Sequence, residues 1–279
     1  MRPFFLGGYM KKPTIALIDG DLWCYDIPFA AESGLEDDRH PSMDYCITAA
    51  EQRMKNILEA TGCTEIEVYL TGKDNFRNDI AKIQEYKAGR GKKPTLYNEM
   101  RKWMEFIWSA KVIDGMEADD WLAIRQMQEK GNSVIVSRDK DLRMVRGWHY
   151  GYQCGKQEEF PLTFIDKIGY LEYSKKGCKG GGLKFFFAQL LMGDKTDSIR
   201  GVDGVGAKKA YDAINDLCNI QDMFDKCLEL YDNNLDELLE NANLLWMCLE
   251  LKEDGSPVMF SETQLCEELI ANAKKSSKE

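Results

Sequence analysis

Thr14-Ile15-Ala16-Leu17-Ile18-Asp19-Gly20-Asp21 decides how this chain is read. Four consecutive apolar residues, 15–18, stop abruptly at an acid, a glycine and a second acid. Such a run is too short for a buried helix and fits a strand buried on both faces, with carboxylates at its carboxyl end. The same grammar recurs further on. Ile66, Val68 and Leu70 alternate with polar residues and predict a second strand. Residues 133–136 (Ser-Val-Ile-Val) predict a third, followed by Asp139 and Asp141. Between them, residues 43–60 and 118–130 have helical spacing, the latter stopping at Gly131. Strands alternating with helices predict an α/β fold with a central, mostly parallel sheet. In such sheets ligands bind outside the carboxyl ends of the strands.

Beyond residue 147 the character changes. Residues 148–182 are irregular with short strand-like pieces. Residues 183–192 form an apolar helix, a Gly-rich turn spans 201–206, and a helix starts near Ala207. Three regions are expected: an α/β core over 13–147 with a basic segment at 73–111, a completing region over 148–215, and an acidic helical region over 216–279. The 73–111 segment holds ten bases against five acids.

The formal charge of −10 argues against a nucleic-acid binder only as an average. Residues 216–279 hold 15 acids and five bases, so the whole excess lies there and residues 1–215 are neutral in sum. Hydrophobic residues at 44% supply a core, which excludes a disordered chain. No apolar run approaches the roughly 20 residues of a membrane span. Nine cysteines without a C-x-x-C pair, and only two histidines, make a zinc site improbable and fit free thiols in a reducing cytoplasm.

Acids recur at the ends of the predicted elements: Asp19, then Glu117, Asp119 and Asp120, then Asp139 and Asp141, then Asp194 and Asp197. Asp139 and Asp141, two apart, point the same way on an extended backbone. Glu117 and Asp120, like Asp194 and Asp197, share a face if helical. Each acid alone reads as a cap or a solvated turn, and Asp21 and Asp74 are expected to be solvated. Repetition at the sheet edge is harder to dismiss. Converging carboxylates repel unless cations intervene, and hard oxygen ligands suit Mg²⁺ or Mn²⁺. Two such ions about 4 Å apart can activate a water and stabilise a leaving oxygen in phosphodiester cleavage.

Gly201-Val202-Asp203-Gly204-Val205-Gly206-Ala207-Lys208-Lys209-Ala210 is not a P-loop: Ala207 stands where a Lys is needed, and a helix precedes it. Glycines before a helix still offer outward N–H groups to phosphate. Lys208 and Lys209 at that helix start run against the dipole, which an anionic partner would explain.

Together these segments resemble the 5′-nuclease family: flap endonucleases, the 5′-nuclease domains of bacterial DNA polymerases, and phage 5′→3′ exonucleases. The matching motifs are Ile18-Asp19-Gly20-Asp21, Glu85-Tyr86-Lys87-Ala88-Gly89-Arg90, Gly115-Met116-Glu117-Ala118-Asp119-Asp120, Ser137-Arg138-Asp139-Lys140-Asp141 and Gly193-Asp194-Lys195-Thr196-Asp197, running into 201–210. Order and spacing agree over about residues 13–212. The resemblance implies a main metal site at Asp19, Glu117, Asp119 and Asp139. It implies a second at Asp141, Asp194 and Asp197, with Asp120 adjoining both. Two or more Mg²⁺ ions are expected, with Mn²⁺ able to substitute. Lys87 and Arg90 would contact the scissile phosphate, Tyr86 would stack on a base, and Lys92 and Lys93 would guide the strand. Gly204, Gly206, Lys208 and Lys209 would form a helix–hairpin–helix grip on the duplex backbone, with a possible K⁺ ion.

Two departures stand out. Thr71 and Gly72 follow the second strand where many relatives have an acid, and 86–117 is short for a threading arch. Trp103 and Trp108 either pack or stack. The resemblance implies a metal-dependent 5′→3′ exonuclease and flap-type nuclease acting on DNA with 5′ ends or flaps, and on RNA–DNA hybrids, in phage replication or recombination. The expected protein is a cytoplasmic monomer, with a replication partner at the acidic region and no membrane. The alternatives are a PIN-type ribonuclease, which lacks the 201–210 turn, and a silent DNA-structure-binding module.

Overall fold

The computed structural model describes residues 12–33, 35, 40–83, 86–87 and 91–276. Five strands run parallel at the centre: β1 (Ile15–Asp19), β2 (Glu65–Thr71), β3 (Lys111–Ile113), β4 (Ser133–Val136) and β5 (Gly147–Gly151). With β6 (Phe160–Ile165) antiparallel at one edge, they form a sheet of order β3-β2-β1-β4-β5-β6. β1 sits in the middle, pairing Ile18 with Val68 on one side and Val136 on the other.

The pleat sorts the apolar run of β1 between two faces. Ala16 and Ile18 join a core with α1 (Gly20–Glu32), α2 (Met43–Thr61) and α4 (Tyr97–Ile107). Ile15 and Leu17 meet α5 (Ala118–Gln128) through Ala118, Leu122 and Ala123. Helix α2 is bounded by the Ser42 cap, which accepts from Tyr45 N–H, and by left-handed Gly62. Trp103 and Trp108 pack rather than stack on a ligand: their rings lie 4.6 Å apart, and Trp108 meets buried Trp23 edge-on at 5.5 Å.

A short α3 (Arg77–Ile80) lies between β2 and α4. The sheet continues past residue 147, so the 148–182 region carries β5 and β6, then a hairpin of β7 (Tyr170–Ser174) and β8 (Gly177–Gly181). Helices α6 (Gly182–Met192), α7 (Ala207–Ile214), α8 (Ile220–Leu230), α9 (Leu235–Leu245) and α10 (Gln264–Ser276) complete the fold.

The acidic region, described over 216–276, packs into the motif-bearing body. Phe185, Phe186 and Phe187 of α6 share one core with Met223, Phe224, Leu238, Trp246, Phe260 and Leu269. None of the described acids of 216–276 is buried; they lie on the outside of helices and turns whose apolar faces close that core. No helix among the described residues is long and apolar enough to cross a membrane.

Candidate active site

The carboxyl ends of β1, β2 and β4 and the amino end of α5 open on a cavity of about 910 Å³. Its wall includes Asp19, Asp21, Glu117, Asp119, Asp139, Lys87, Lys92 and Lys93. Asp19 is placed by an abrupt strand-to-helix change. Its carboxylate caps α1 by accepting from Leu22 N–H and accepts the Ser137 hydroxyl at 2.7 Å. Gly20 is required there: a Cβ would stand 2.8 Å from the Tyr69 carbonyl oxygen. Burial, then Asp21, then Asp139, push Asp19 up to about 7 against the Ser137 hydrogen bond. Asp139 is pushed up to about 6 by burial and by Asp141. Asp119, partly open to the cavity, is raised strongly by desolvation and by Asp19, Asp139 and Glu117. Three carboxyl groups with raised affinity for protons, facing one another, form a site with a deficit of positive charge.

Glu117 is the exception. It occupies the N-cap position of α5 without capping it. Instead it accepts from Lys87 Nζ at 2.6 Å and Tyr86 Oη at 3.0 Å, with Arg77 Nη1 at 3.8 Å. Burial alone would raise it, but Lys87 and Arg77 outweigh burial and hold it below the usual range. Lys87 is locked in turn. Its φ is +54°, its N–H donates to the Asp197 carbonyl at 3.1 Å, and its ammonium lies 3.7 Å from Asp197 Oδ1. A left-handed non-glycine residue at such a place fits a functional constraint.

The second expected set gathers next door. Lys140 Nζ lies 2.8 Å from Asp141 Oδ1 and 2.8 Å from Asp194 Oδ2. Gln189, buried on α6, donates to the same two oxygens at 2.8 and 3.3 Å. Asp194 also accepts from Thr196 N–H at 2.7 Å. Asp197 is raised by burial and by Glu117, Asp194 and Asp141, against Lys87. Seven of the eight expected acids therefore form two adjoining groups: four around the cavity, and Asp141 and Asp194 around Lys140 with Asp197 next to Asp194 and paired with Lys87. Among the described residues no three or more acids, histidines or cysteines stand together at metal-binding geometry. The lysine ammonium groups lie between the acids.

Four expectations need correction. Asp120 joins neither group. It is fully buried and paired in a fork with Arg77, at 2.5 Å to Nη1 and 2.8 Å to Nη2, and it accepts from Cys248 N–H at 3.1 Å. Spacing of three brings Glu117 and Asp120 to one guanidinium, not to one ion. Tyr86 offers no face to a base: its ring is buried in the α6 core, and its hydroxyl bridges Glu117 and Asp197. Asp139 and Asp141 do not lie on extended backbone. Asp139 Oδ1 accepts from Asp141 N–H at 2.8 Å and turns the chain into a 3₁₀ turn, Asp141–Met144. Asp21 is not a solvated acid. It accepts from Thr71 N–H at 2.9 Å and Arg101 Nη1 at 3.2 Å, at the end of β2. Arg90 lies outside the described residues.

Several groups escaped sequence reasoning: Asp21, Arg77, Lys140, Ser137 and Gln189. The ion-pair partners of Arg77 lie 40 and 43 residues away, which no local spacing reveals. Lys140 lies within Ser137–Asp141, where its own charge is the local signal.

Gly204, with φ +73°, and Gly206 have open space where a Cβ would stand, so their backbone is approachable. Lys208 and Lys209 are exposed at the start of α7, on Asp212 and, at 2.8 Å, on the Gly204 carbonyl. They share a shallow depression with Tyr173 and Lys175 of the neighbouring hairpin.

No family model matches the chain. It is 29% identical over 228 residues to a 5′-3′ exonuclease of Buchnera aphidicola subsp. Schizaphis graminum, spanning 77% of this chain and 75% of that protein. It is 29% identical over 247 residues to DNA polymerase I of Bacillus caldotenax, spanning 82% of this chain and 26% of the polymerase. Its fold matches the T5 5′-exonuclease solved with divalent metal ions (zinc), with a TM-score of 0.57, 18% identity, and coverage of 95% of this chain and 97% of that one.

Proposed function

We propose that this chain, a member of the 5′-nuclease family, is a divalent-metal-dependent 5′→3′ exonuclease and flap-type nuclease that hydrolyses phosphodiesters in DNA. The observation that carries the reading is the convergence of Asp19, Glu117, Asp119 and Asp139 from three elements on one cavity that also presents Lys87, Lys92 and Lys93. Acids alone would repel a nucleic acid. Acids that hold cations beside basic residues form a phosphate site.

The donor set suits hard divalent ions. It consists of carboxylate oxygens, and the proton affinities of Asp19 and Asp139 are raised to about 7 and about 6, first by burial and then by neighbouring carboxylates. Asp19, Glu117, Asp119 and Asp139 would hold one Mg²⁺, and Asp141, Asp194 and Asp197 a second. Ions held there would supply Lewis-acid activation of a water and charge stabilisation of the leaving oxygen. The chain's own groups do the rest. Lys87, fixed by its backbone and pressed against Glu117, is set to contact the phosphate and offset transition-state charge. Tyr86 and Arg77 hold Glu117 in place. Asp21 and Arg101 bound the site at the end of β2. Lys92 and Lys93 draw the strand toward the cavity. The 201–210 turn grips the duplex through backbone N–H groups and Lys208 and Lys209, as a helix–hairpin–helix would, with K⁺ as its ion. Such contacts give affinity without sequence preference.

The substrates would be DNA with 5′ ends or flaps and RNA–DNA hybrids, in phage replication or recombination within a host cytoplasm. The protein would act as a monomer. Exposed acids such as Glu253, Asp254, Glu267 and Glu268 offer a basic replication partner a surface. The test is a Mg²⁺-dependent assay on 5′-labelled duplex, 5′-flap and RNA–DNA hybrid substrates. Products released from the 5′ end are expected. No cleavage by chain that still binds duplex would overturn the enzyme reading. Lys208→Glu is expected to weaken duplex binding and reduce its salt slope by about 1; an unchanged slope would remove the grip from 201–210.

A further inference from the structure

Lys140 sits where the second ion of the proposed site would be held, and nothing in the reaction reading uses it. Its ammonium is equidistant, at 2.8 Å, from Asp141 Oδ1 and Asp194 Oδ2, acids 53 residues apart in sequence. Gln189 donates to the same pair of oxygens from the protein interior. The two carboxylates are therefore held together by one cation and one amide. The arrangement is lopsided in mobility. The Asp194 side chain is 7% exposed and that of Asp141 15%, while the Lys140 side chain is 42% exposed. The acids are fixed and the base has a route to solvent on an unbranched four-carbon stem.

Lys87 differs. Its side chain is only 18% exposed, and its backbone is pinned to the Asp197 carbonyl. One lysine of the site is built in and the other is displaceable.

We propose that Lys140 is an internal counter-cation: it holds Asp141 and Asp194 together in the metal-free protein, competes with the divalent ion for them, and so sets the affinity of the second metal site. This rests on the reading of these acids as metal ligands. The ammonium relieves repulsion that would otherwise splay the two acids, and it keeps their oxygens facing one point. A divalent ion offers twice the charge and takes the same oxygens. The two ion pairs of Lys140 would be exchanged for carboxylate contacts to the divalent ion, the released ammonium would move into solvent, and no covalent bond would be made or broken.

The test is calorimetric titration of the metal-free full chain with Mn²⁺, for wild type, Lys140→Met and Lys140→Arg. Lys140→Met keeps the stem and removes the charge. It is expected to bind Mn²⁺ at the weaker site about tenfold more tightly, a difference of about 1.4 kcal/mol, and to melt several degrees lower in EDTA. Lys140→Arg keeps the charge and forks onto both acids, and is expected to bind Mn²⁺ no more tightly than wild type. Equal or weaker Mn²⁺ binding by Lys140→Met overturns the role of Lys140 while leaving the metal centre standing. Absence of Mn²⁺ binding in every variant overturns the metal centre, and this inference with it. If Lys140→Met fails to fold, Lys140→Arg decides: tighter binding than wild type refutes competition.

Discussion

Asp119 and Asp120 are neighbours on the first turn of α5, and the protein treats them in opposite ways. Asp120 points into a closed joint. Arg77 meets it with a two-pronged fork and uses its remaining donors on the Leu244 and Trp246 carbonyls, at 3.0 and 2.6 Å. Burial would weaken the Arg77 charge, but Asp120 outweighs it and holds the guanidinium firmly protonated. Asp119 points to the cavity and meets Asp19, Asp139 and Glu117 instead. One acid is matched by a cation of the chain; the other is left among acids. The matched acid ties the site helix to residues 244–248, and the unmatched one creates demand for a cation from outside. Burial alone therefore does not mark a functional carboxylate. The supply of countercharge does.

The largest effect is expected from breaking the matched side. Asp120→Asn removes the forked partner of a buried guanidinium and leaves it only Glu117, at 3.8 Å, which costs about 3–5 kcal/mol, read by chemical denaturation. Mn²⁺ affinity of the folded fraction should stay within about twofold of wild type, an energy difference below about 0.5 kcal/mol. Lost Mn²⁺ binding with unchanged stability would return Asp120 to the metal set.

Breaking the unmatched side should have the opposite sign on stability. Asp139→Asn is expected to cut turnover by at least about 10²-fold with duplex binding largely kept. In EDTA it should melt higher than wild type, because one of several repelling charges is gone. A lower melting temperature would mean that Asp139 is already compensated. Lys87→Ala should lose a comparable factor of about 10² in turnover yet melt lower in EDTA, since Glu117 and Asp197 lose their shared cation. Similar stability shifts in both variants would refute the division of roles.

How far the sequence reaches can be judged on the same helix. Asp19 and Asp139 were legible because an acid that interrupts a buried apolar run has few structural uses, and the strand ends place it. Glu117 and Asp119 were legible through their neighbourhood in a motif. The destiny of Asp120 was not, because it depends on Arg77 and on residues 244–248, contacts that only the folded chain creates. The packing of the acidic C-terminal region is hidden from local pattern for the same reason. Its charge dominates its composition, while its place in the fold follows from Phe224, Leu238, Trp246 and Phe260, which pack on α6. Asp21 looked solvated because the strand end it serves lies 50 residues on. Local pattern reports which groups are costly to bury; it does not report who meets them.

His149 extends the comparison to a third arrangement, a titratable group buried with no charge at all. It lies on β5, fully enclosed, with one ring nitrogen 2.7 Å from the Val145 carbonyl. Desolvation, with help from Arg143 and against the Val145 hydrogen bond, lowers it from 6.5 to about 4. The folded state then binds fewer protons than the unfolded chain once the pH falls below about 6.5, so stability drops with acid through that window. Between pH 7 and 5.5 this amounts to about 1 kcal/mol, the smallest of these effects. Denaturation of wild type and His149→Gln at the two pH values measures it: the slope should be present in the first and reduced in the second. An equal slope would place the acid sensitivity in the repelling carboxylates. Those groups have the opposite sign, because their raised proton affinity makes mild acid stabilise the metal-free fold. The measured slope in EDTA is therefore a difference between the cavity acids and the buried imidazole, and the His149 variant separates them.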